Sequence, residues 1–220
     1  MSKKLVIFGI GDFAQVADVY LTEDSPHEVV AFTVNEQYIE AAELSGRPVV
    51  AFEGLEELYP PNEFSMLVAI GFSGVNRTRA DICRQCKERG YELISYVCSK
   101  ATTWSDLDVG ENTFVFEDNV IQPFVKIGND VVVWSGNHIG HHVVIGDHCF
   151  ITSHVVISGG TVIGDRCFLG VNATIRDHIT IAASTVIGAG AIIMKDTAEE
   201  DVYIAPRTEK AGRKSSELNM

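Results

Sequence analysis

Beyond residue 108 the chain repeats itself every six residues. Branched aliphatic side chains occupy Val109, Val115, Ile121, Ile127, Val133, Ile139, Ile145, Ile151, Ile157, Ile163, Leu169, Ile175, Ile181, Ile187 and Ile193 without an insertion. The next residue is glycine at Gly110, Gly128, Gly140, Gly146, Gly164, Gly170 and Gly188, and the position two ahead of an anchor is mostly small or branched, as at Val125, Val131, Val143, Cys149, Val155, Thr161, Cys167, Ala173 and Ala191. One such unit cannot bury its aliphatic residue alone, whereas stacked units make a continuous core, so the period predicts a parallel β-helix. Three six-residue sides close a coil. The repeats then fill five coils, a prism about 24 Å tall at ordinary strand spacing. Residues 18 apart stack, which sets Cys149 beside Cys167 in an inward ladder of small apolar groups.

The first hundred residues follow another pattern. Apolar runs at Leu5–Gly9, Glu28–Thr33 and Met66–Gly71, with a last at Glu92–Val97, read as strands. Helical stretches end at Tyr20 and run over Glu36 to Ser45 and Asn76 to Arg89. Strand alternating with helix predicts a small parallel α/β, Rossmann-like sheet. The break in period near 98–108 divides the chain into an α/β domain over 1–98, a linker over 99–108, a β-helix over 109–197 and a tail over 198–220.

The first strand runs into Gly9-Ile10-Gly11-Asp12-Phe13-Ala14, a GxGxxA turn in its expected place. Glycines at 9 and 11 permit a tight turn and close approach of a ligand to backbone amides, and Ala14 lets helix pack closely on strand. A dinucleotide-binding domain carries an acid after its second strand to hold a ribose. Here that place reads Thr33-Val34-Asn35-Glu36, and the sheet is short, so a smaller nucleotide, such as the diphosphate of a nucleotide sugar, suits the turn better than NAD. Glycines that only make a turn are the alternative.

Composition narrows the partners. Thirty Asp and Glu against seventeen Lys and Arg leave a net charge of -13, which opposes nucleic acid as a partner. No apolar run approaches the length of a membrane span and the start is too short for a signal peptide, so a soluble, cytoplasmic protein is expected. Five cysteines argue against a secreted disulfide scaffold. Cys83-x-x-Cys86 lies in a charged helical stretch with no second pair to complete a zinc site, and reads as two thiols on a helix.

The GxGxxA start, the repeat Ile139-Gly140-His141-His142-Val143-Val144-Ile145-Gly146-Asp147 and the run Ile163-Gly164-Asp165-Arg166-Cys167-Phe168-Leu169-Gly170-Val171-Asn172 together resemble the sialic-acid O-acetyltransferase and bacterial amino-sugar N-acetyltransferase family. The likeness spans nearly the whole chain. It implies a left-handed β-helix behind the α/β domain, a homotrimer, and direct transfer of acetyl from acetyl-CoA to an amine or hydroxyl of a nucleotide-linked sugar in bacterial surface-glycan synthesis, with no metal. It places the general base at His141, where an imidazole suits removal of a proton near neutrality. Where close relatives follow the base with a glutamate, this chain has His142, which would have to fix the tautomer unless a backbone carbonyl or another subunit does.

The same resemblance implies an oxyanion contact from the backbone of Gly159, with Gly170, Val171, Gly188 and Ala189 further up the same cleft. Lys195, Arg207 and Lys210 are its candidates for the CoA phosphates, and the tail keeps the Pro206-Arg207 part of the family's ending. For the nucleotide sugar it points to Gly9, Gly11, Asp12, Asn35, Gly71, Asn76 and Arg77, with Arg79 as a second arginine for a diphosphate. Trp134 stacks a ligand or fills a subunit contact, the second being favoured. Five further histidines, His138, His142, His148, His154 and His178, fall in the repeat region. Two rival readings of the fold are a zinc hydratase of the γ-carbonic-anhydrase type and a non-enzymatic repeat scaffold that senses a nucleotide sugar.

Overall fold

The computed structural model describes residues 2–210, 212 and 214–217; the remaining residues of the expected tail lie outside the described residues. Strands Lys4–Phe8 (β1), Glu28–Val34 (β2), Glu43–Leu44 (β3), Arg47–Ala51 (β4) and Phe64–Val68 (β5) form one sheet in the order β3-β4-β2-β1-β5. All pairings are parallel except β3 with β4. Helices Asp12–Asp24 (α1), Leu55–Leu58 (α2) and Arg77–Glu88 (α3) complete this part. Ala14 and Ala17 of α1 are fully buried, as the close helix-to-strand packing requires.

Two elements differ from the sequence reading. Glu36 to Ser45 is not a helix: a single 3-10 turn at Glu36–Tyr38 leads into the β3–β4 hairpin, whose tip, Ser45 and Gly46, takes φ of 52° and 74°. Two consecutive positive φ values fit the tight turn that matches strand twist. Pairing of Val49, Val50 and Ala51 with Phe32, Thr33 and Val34 then adds a strand to β2, and that tertiary gain overrides the helix-forming glutamates and alanines. The expected strand Glu92–Val97 touches the sheet only at Leu93, opposite Met66. Its end, Tyr96–Val97 (β6), pairs instead with Phe114–Val115 and so opens the β-helix.

The coil therefore starts before Val109. Thr102 bridges Val120, and Asp108–Val109 pairs with Lys126–Ile127, so residues 99–108 build the first coil where the sequence suggests a linker. From there two-residue rungs stack in parallel at a register of 18 through Ile192–Ile193, and Val202–Tyr203 closes one face over Val186–Ile187. The second residue of each rung points inward. Ile121, Ile139, Ile157, Ile175 and their counterparts on the other faces make one core with Cys149 and Cys167, each aliphatic contributing roughly 1.5–3 kcal/mol of burial. All five cysteines are free and buried. On α3, burial pushes the Cys86 thiol up to about 12, so the Cys83–Cys86 pair is core.

Every sixth residue from Asn112 to Gly190 has positive φ, because each coil turns its three corners through a left-handed residue. Asn, Asp, His and Gly tolerate that conformation best. His142, His148, His154 and His178 all occupy such positions. Four of the six repeat-region histidines thus have a backbone reason to be there.

The α/β domain stands on one face of the prism. The outward residues of that face, Phe114, Val132, Phe150 and Phe168, pack with Phe13, Ala17 and Leu21 of α1, whereas the outward residues of the other two faces, such as Val120, Val156, Val144 and Val162, are exposed. Trp134 stacks on Phe116 at 4.4 Å and lies 5.9 Å from Phe13, so it serves this internal junction. Asp24 at the end of α1 takes hydrogen bonds from the hydroxyls of Ser99 and Tyr96 and from the Ser99 N–H, which hold its carboxyl well below the usual range.

The strongest polar tie is Arg79. It is fully buried and donates from Nε to Asp130 Oδ1 at 2.9 Å, and from its other nitrogens to the carbonyls of Asp130, His148, Cys149 and Gly71 and to Asn76 Oδ1. Asp130 also meets His148 Nδ1 at 2.8 Å and Asn112 Nδ2 at 2.8 Å. Arg79 is therefore a junction residue with no donor left for a diphosphate. Among the described residues no helix is long and apolar enough to cross a membrane.

Removing one partner of a buried pair strands the other charge. Arg79→Met is expected to lower unfolding free energy by about 3–5 kcal/mol, whereas Arg77→Ala, which breaks only the exposed Arg77–Glu200 pair, should cost less than about 1 kcal/mol. Denaturant unfolding of the two variants checks this.

Candidate active site

His141 stands at the prism corner opposite the face that carries the α/β domain. In its column the 18-residue register sets Pro123 below it and Gly159, Asp177 and Lys195 above; Phe124, His142, Gly160 and His178 form the neighbouring column. His141 is not a left-handed residue, and nothing in the corner's backbone demands a histidine there. Its N–H is held by Gln122 Oε1 at 2.8 Å.

The imidazole leans onto Gly159. A Cβ on that glycine would lie 2.7 Å from His141 Cε1 and 2.8 Å from Nε2, so any side chain at 159 would push the ring away. The Gly160 N–H donates to the His141 carbonyl at 2.8 Å. From the coil above, the ring of His178 rests on Gly160, where a Cβ would lie 2.6 Å from Cε1. The two glycines thus seat two imidazoles, one from below and one from above. His178 lies 18 residues on from Gly160 and 36 from His142, and so one coil above the first and two above the second.

A neighbouring ring gives His141 a partner for its tautomer. His141 Nδ1 lies 3.1 Å from His142 Nδ1, and the His142 ring is itself packed on Phe124 at 4.7 Å. One Nδ1 must donate and the other accept. If His141 Nδ1–H donates, Nε2 is left bare as a base, and no carboxylate is needed.

Other expected residues separate. Gly170, Val171, Gly188 and Ala189 belong to a different corner, since corners recur every 18 residues and 171 stacks with 153 and 189, not with 141. They do not share a one-chain cleft with His141. Gly170 and Gly188 also have a packing reason: a Cβ on Gly170 would sit 2.5 Å from the Ala189 N, and one on Gly188 2.9 Å from the Tyr203 O. Lys195, by contrast, tops the His141 column, and Arg207 and Lys210 are exposed on the tail. The Gly159 N–H has no acceptor among the described residues.

At the other end, the carboxyl edge of the α/β sheet gathers the turn residues. Gly9 (φ 131°) is required by packing, because a Cβ there would lie 2.5 Å from the Ala69 carbonyl oxygen. Gly11 and Gly71 face open space, and Gly11 precedes α1, whose free N–H groups suit an anion. Asp12 is exposed at the first turn. Asn35 is held by Glu53 at 2.9 Å. Asn76 is fully buried and donates to the carbonyls of Arg166 and Cys167, so it ties the domains together. Arg77 sits apart at 3.1 Å from Glu200.

Two segments, residues 124–159 and 160–195, match the family model "Bacterial transferase hexapeptide (six repeats)". Among solved structures, the acetyltransferase domain of PglB from Neisseria gonorrhoeae in complex with acetyl coenzyme A superposes with a TM-score of 0.84 at 23% identity, covering 92% of this chain and 96% of that one. A variant of perosamine N-acetyltransferase from Caulobacter crescentus, in complex with CoA and GDP-perosamine, gives 0.79 at 25% identity over 90% and 92% of the two chains. WeeI from Acinetobacter baumannii gives 0.71 at 16% identity over 92% and 96%. Comparison with curated proteins finds no match. The chain carries hexapeptide repeats, and its fold is a small α/β domain on a left-handed parallel β-helix. Over nearly its whole length it shares the fold of the PglB acetyltransferase domain and of the perosamine N-acetyltransferase, as the resemblance implied.

A proton shared between the two imidazoles has a direct spectroscopic test. In nitrogen-15 spectra of the neutral rings, the Nδ1 atoms of His141 and His142 should read differently, one protonated and one bare, and His142→Ala should abolish that difference at His141. Identical Nδ1 signals in the intact protein would contradict the pairing.

Proposed function

We propose that the chain is an acetyl-CoA-dependent acetyltransferase acting on the amino group of a nucleotide-linked sugar, with His141 as general base. The observation that carries this reading is His141 itself: an imidazole seated on Gly159, paired through Nδ1 with His142, at a position where the fold has no need of a histidine. Its support from outside is the shared fold with acetyltransferases that hold acetyl-CoA, or CoA and GDP-perosamine.

In this mechanism His141 Nε2 takes the proton of the acceptor nitrogen as that nitrogen attacks the thioester carbonyl carbon. The N–H of Gly159 faces the oxygen as negative charge develops on it. The carbon–sulfur bond then breaks, the electron pair leaves with sulfur, and the proton held by His141 is returned to the thiolate. His142 keeps the His141 proton on Nδ1 and so keeps Nε2 available. Lys195, Arg207 and Lys210 offer positive charge to the CoA phosphates in an otherwise acidic protein. At the sheet edge Gly11, Asp12, Asn35 and Gly71 receive the nucleotide.

The two sites are on opposite sides of one prism. The α/β domain covers one face, and His141 stands at the facing corner. A cytoplasmic homotrimer resolves this, since a neighbouring copy brings its His141 corner towards this chain's sheet edge, while the Gly170–Val171 and Gly188–Ala189 corner of this chain lines the CoA cleft from the other side. Transfer to a hydroxyl would use the same base, and the amine is preferred on the perosamine N-acetyltransferase likeness. The expected pathway is bacterial surface-glycan synthesis.

The test is release of free thiol from acetyl-CoA with nucleotide-linked amino sugars, with the corresponding hydroxyl sugars as controls. His141→Ala should lower turnover by about 100- to 10,000-fold, and His142→Ala by a smaller factor of roughly 10, the value of one well-placed hydrogen bond. Stoichiometric zinc in the active protein, or unchanged turnover in His141→Ala, would overturn the reading.

A further inference from the structure

We propose that Asn35 and Glu53 clamp the 2′,3′-diol of a ribose, so that the sugar acceptor is carried by a ribonucleoside diphosphate and not by a 2′-deoxyribonucleoside diphosphate. The inference rests on the reading above that a nucleotide-linked sugar binds at the sheet edge, and it names the class of that nucleotide.

Strands β2 and β4 run parallel with Val34 opposite Ala51, so Asn35 and Glu53 leave the sheet on the edge where the Gly9 turn lies. In open α/β sheets ligands bind outside the carboxyl ends of the strands where the order reverses. Here the reversal is at β1, which has β2 on one side and β5 on the other. A phosphate at the start of α1 then sends its nucleoside either over β2 and β4 or over β5. The first course passes Asn35 and Glu53, a side-chain pair arranged around a carboxylate.

That carboxylate replaces the acid missing at the end of β2. Glu53 Oε1 accepts from Asn35 Nδ2 at 2.9 Å, and Oε2 accepts from the Glu36 N–H at 2.9 Å. Because an ionised carboxylate only accepts, it fixes which end of the Asn35 amide faces it. Oδ1 and the second Nδ2–H of Asn35 are left without partners among the described residues. Together with the remaining lone pairs of Glu53 they offer two acceptors and one donor side by side, which is what a pair of neighbouring hydroxyls satisfies. The same two hydrogen bonds hold the Glu53 carboxyl below its usual range, Asn35 first, so it remains an acceptor. The strand ends do not need this pair for closure, since the Phe52 N–H already reaches the Val34 carbonyl at 2.9 Å.

The experiment is calorimetric titration of the full chain with UDP, GDP, CDP and ADP and with the 2′-deoxy form of each. For the tightest base, the ribose form should bind at least about tenfold more tightly than the deoxy form, the effect of one lost hydrogen bond to a charged group. In Glu53→Ala and Asn35→Ala that ratio should fall to within about twofold, through weaker binding of the ribose form alone. A purely structural role would weaken both forms equally and leave the ratio unchanged, which would overturn the proposal. Equal affinity in the unaltered protein would also overturn it while leaving the acetyltransferase reading intact. Failure of every nucleoside diphosphate to bind the folded protein would overturn both.

Discussion

Everything in this molecule hangs on the 18-residue register of its coils. Parallel rungs stack with each residue over its equivalent one turn earlier, so the choice of side chain at one level restricts the next. Small residues are needed where two coils approach, as at Gly140 and Gly164, where a Cβ would meet backbone of the coil above within 2.6–2.7 Å. Left-handed residues are needed at every corner. The candidate active site is a local use of the same rule: a glycine one coil above a histidine leaves a berth of the size of an imidazole.

The register also distributes work among the three faces. One carries aromatic outward residues and receives the α/β domain, and its flanking corner supplies the buried Arg79–Asp130 tie. Burying that pair costs solvation of both charges, so it contributes less to stability than its six hydrogen bonds suggest. What it does is specify: a forked guanidinium meeting a carboxylate and four carbonyls admits one docking geometry. The sheet edge is held in a fixed relation to the prism, while His141 is left on the far corner. A chain built this way keeps its sheet edge and its His141 corner on opposite sides of one prism.

Much of this was legible in the residues. The aliphatic anchors define the β-helix, and the GxGxxA turn and the runs after it define an α/β sheet, because burial periodicity survives whatever lies outside. The β3–β4 hairpin was not, since Glu36 to Ser45 has helical composition and its strand pairing depends on β2. The start of the first coil was also hidden: Thr103 stands where the period of six calls for an aliphatic anchor, and only the pairing of Thr102 with Val120 and of Asp108 with Lys126 places the segment. The corner position of His141 was legible from the period, and its contact with His142 from their adjacency. That Arg79 is buried, and that Glu53 reaches Asn35, depends on tertiary contacts of 51 and 18 residues separation for which the sequence has no local signal. The expected cleft of Gly170 and Gly188 beside His141 needed only the arithmetic of 18 to be redirected to another corner.

The central claim is that the bare face of Gly159 is the seat on which the His141 imidazole becomes a base. Gly159→Ala tests it most directly, because alanine keeps the N–H and meets only the end of a mobile ring. The account predicts a thermal midpoint within about 3 °C of the unaltered protein and acetyl transfer reduced by about 100-fold, the cost of displacing a catalytic group by an ångström. Acetyl transfer at the unaltered rate, with the ring displaced, would contradict it.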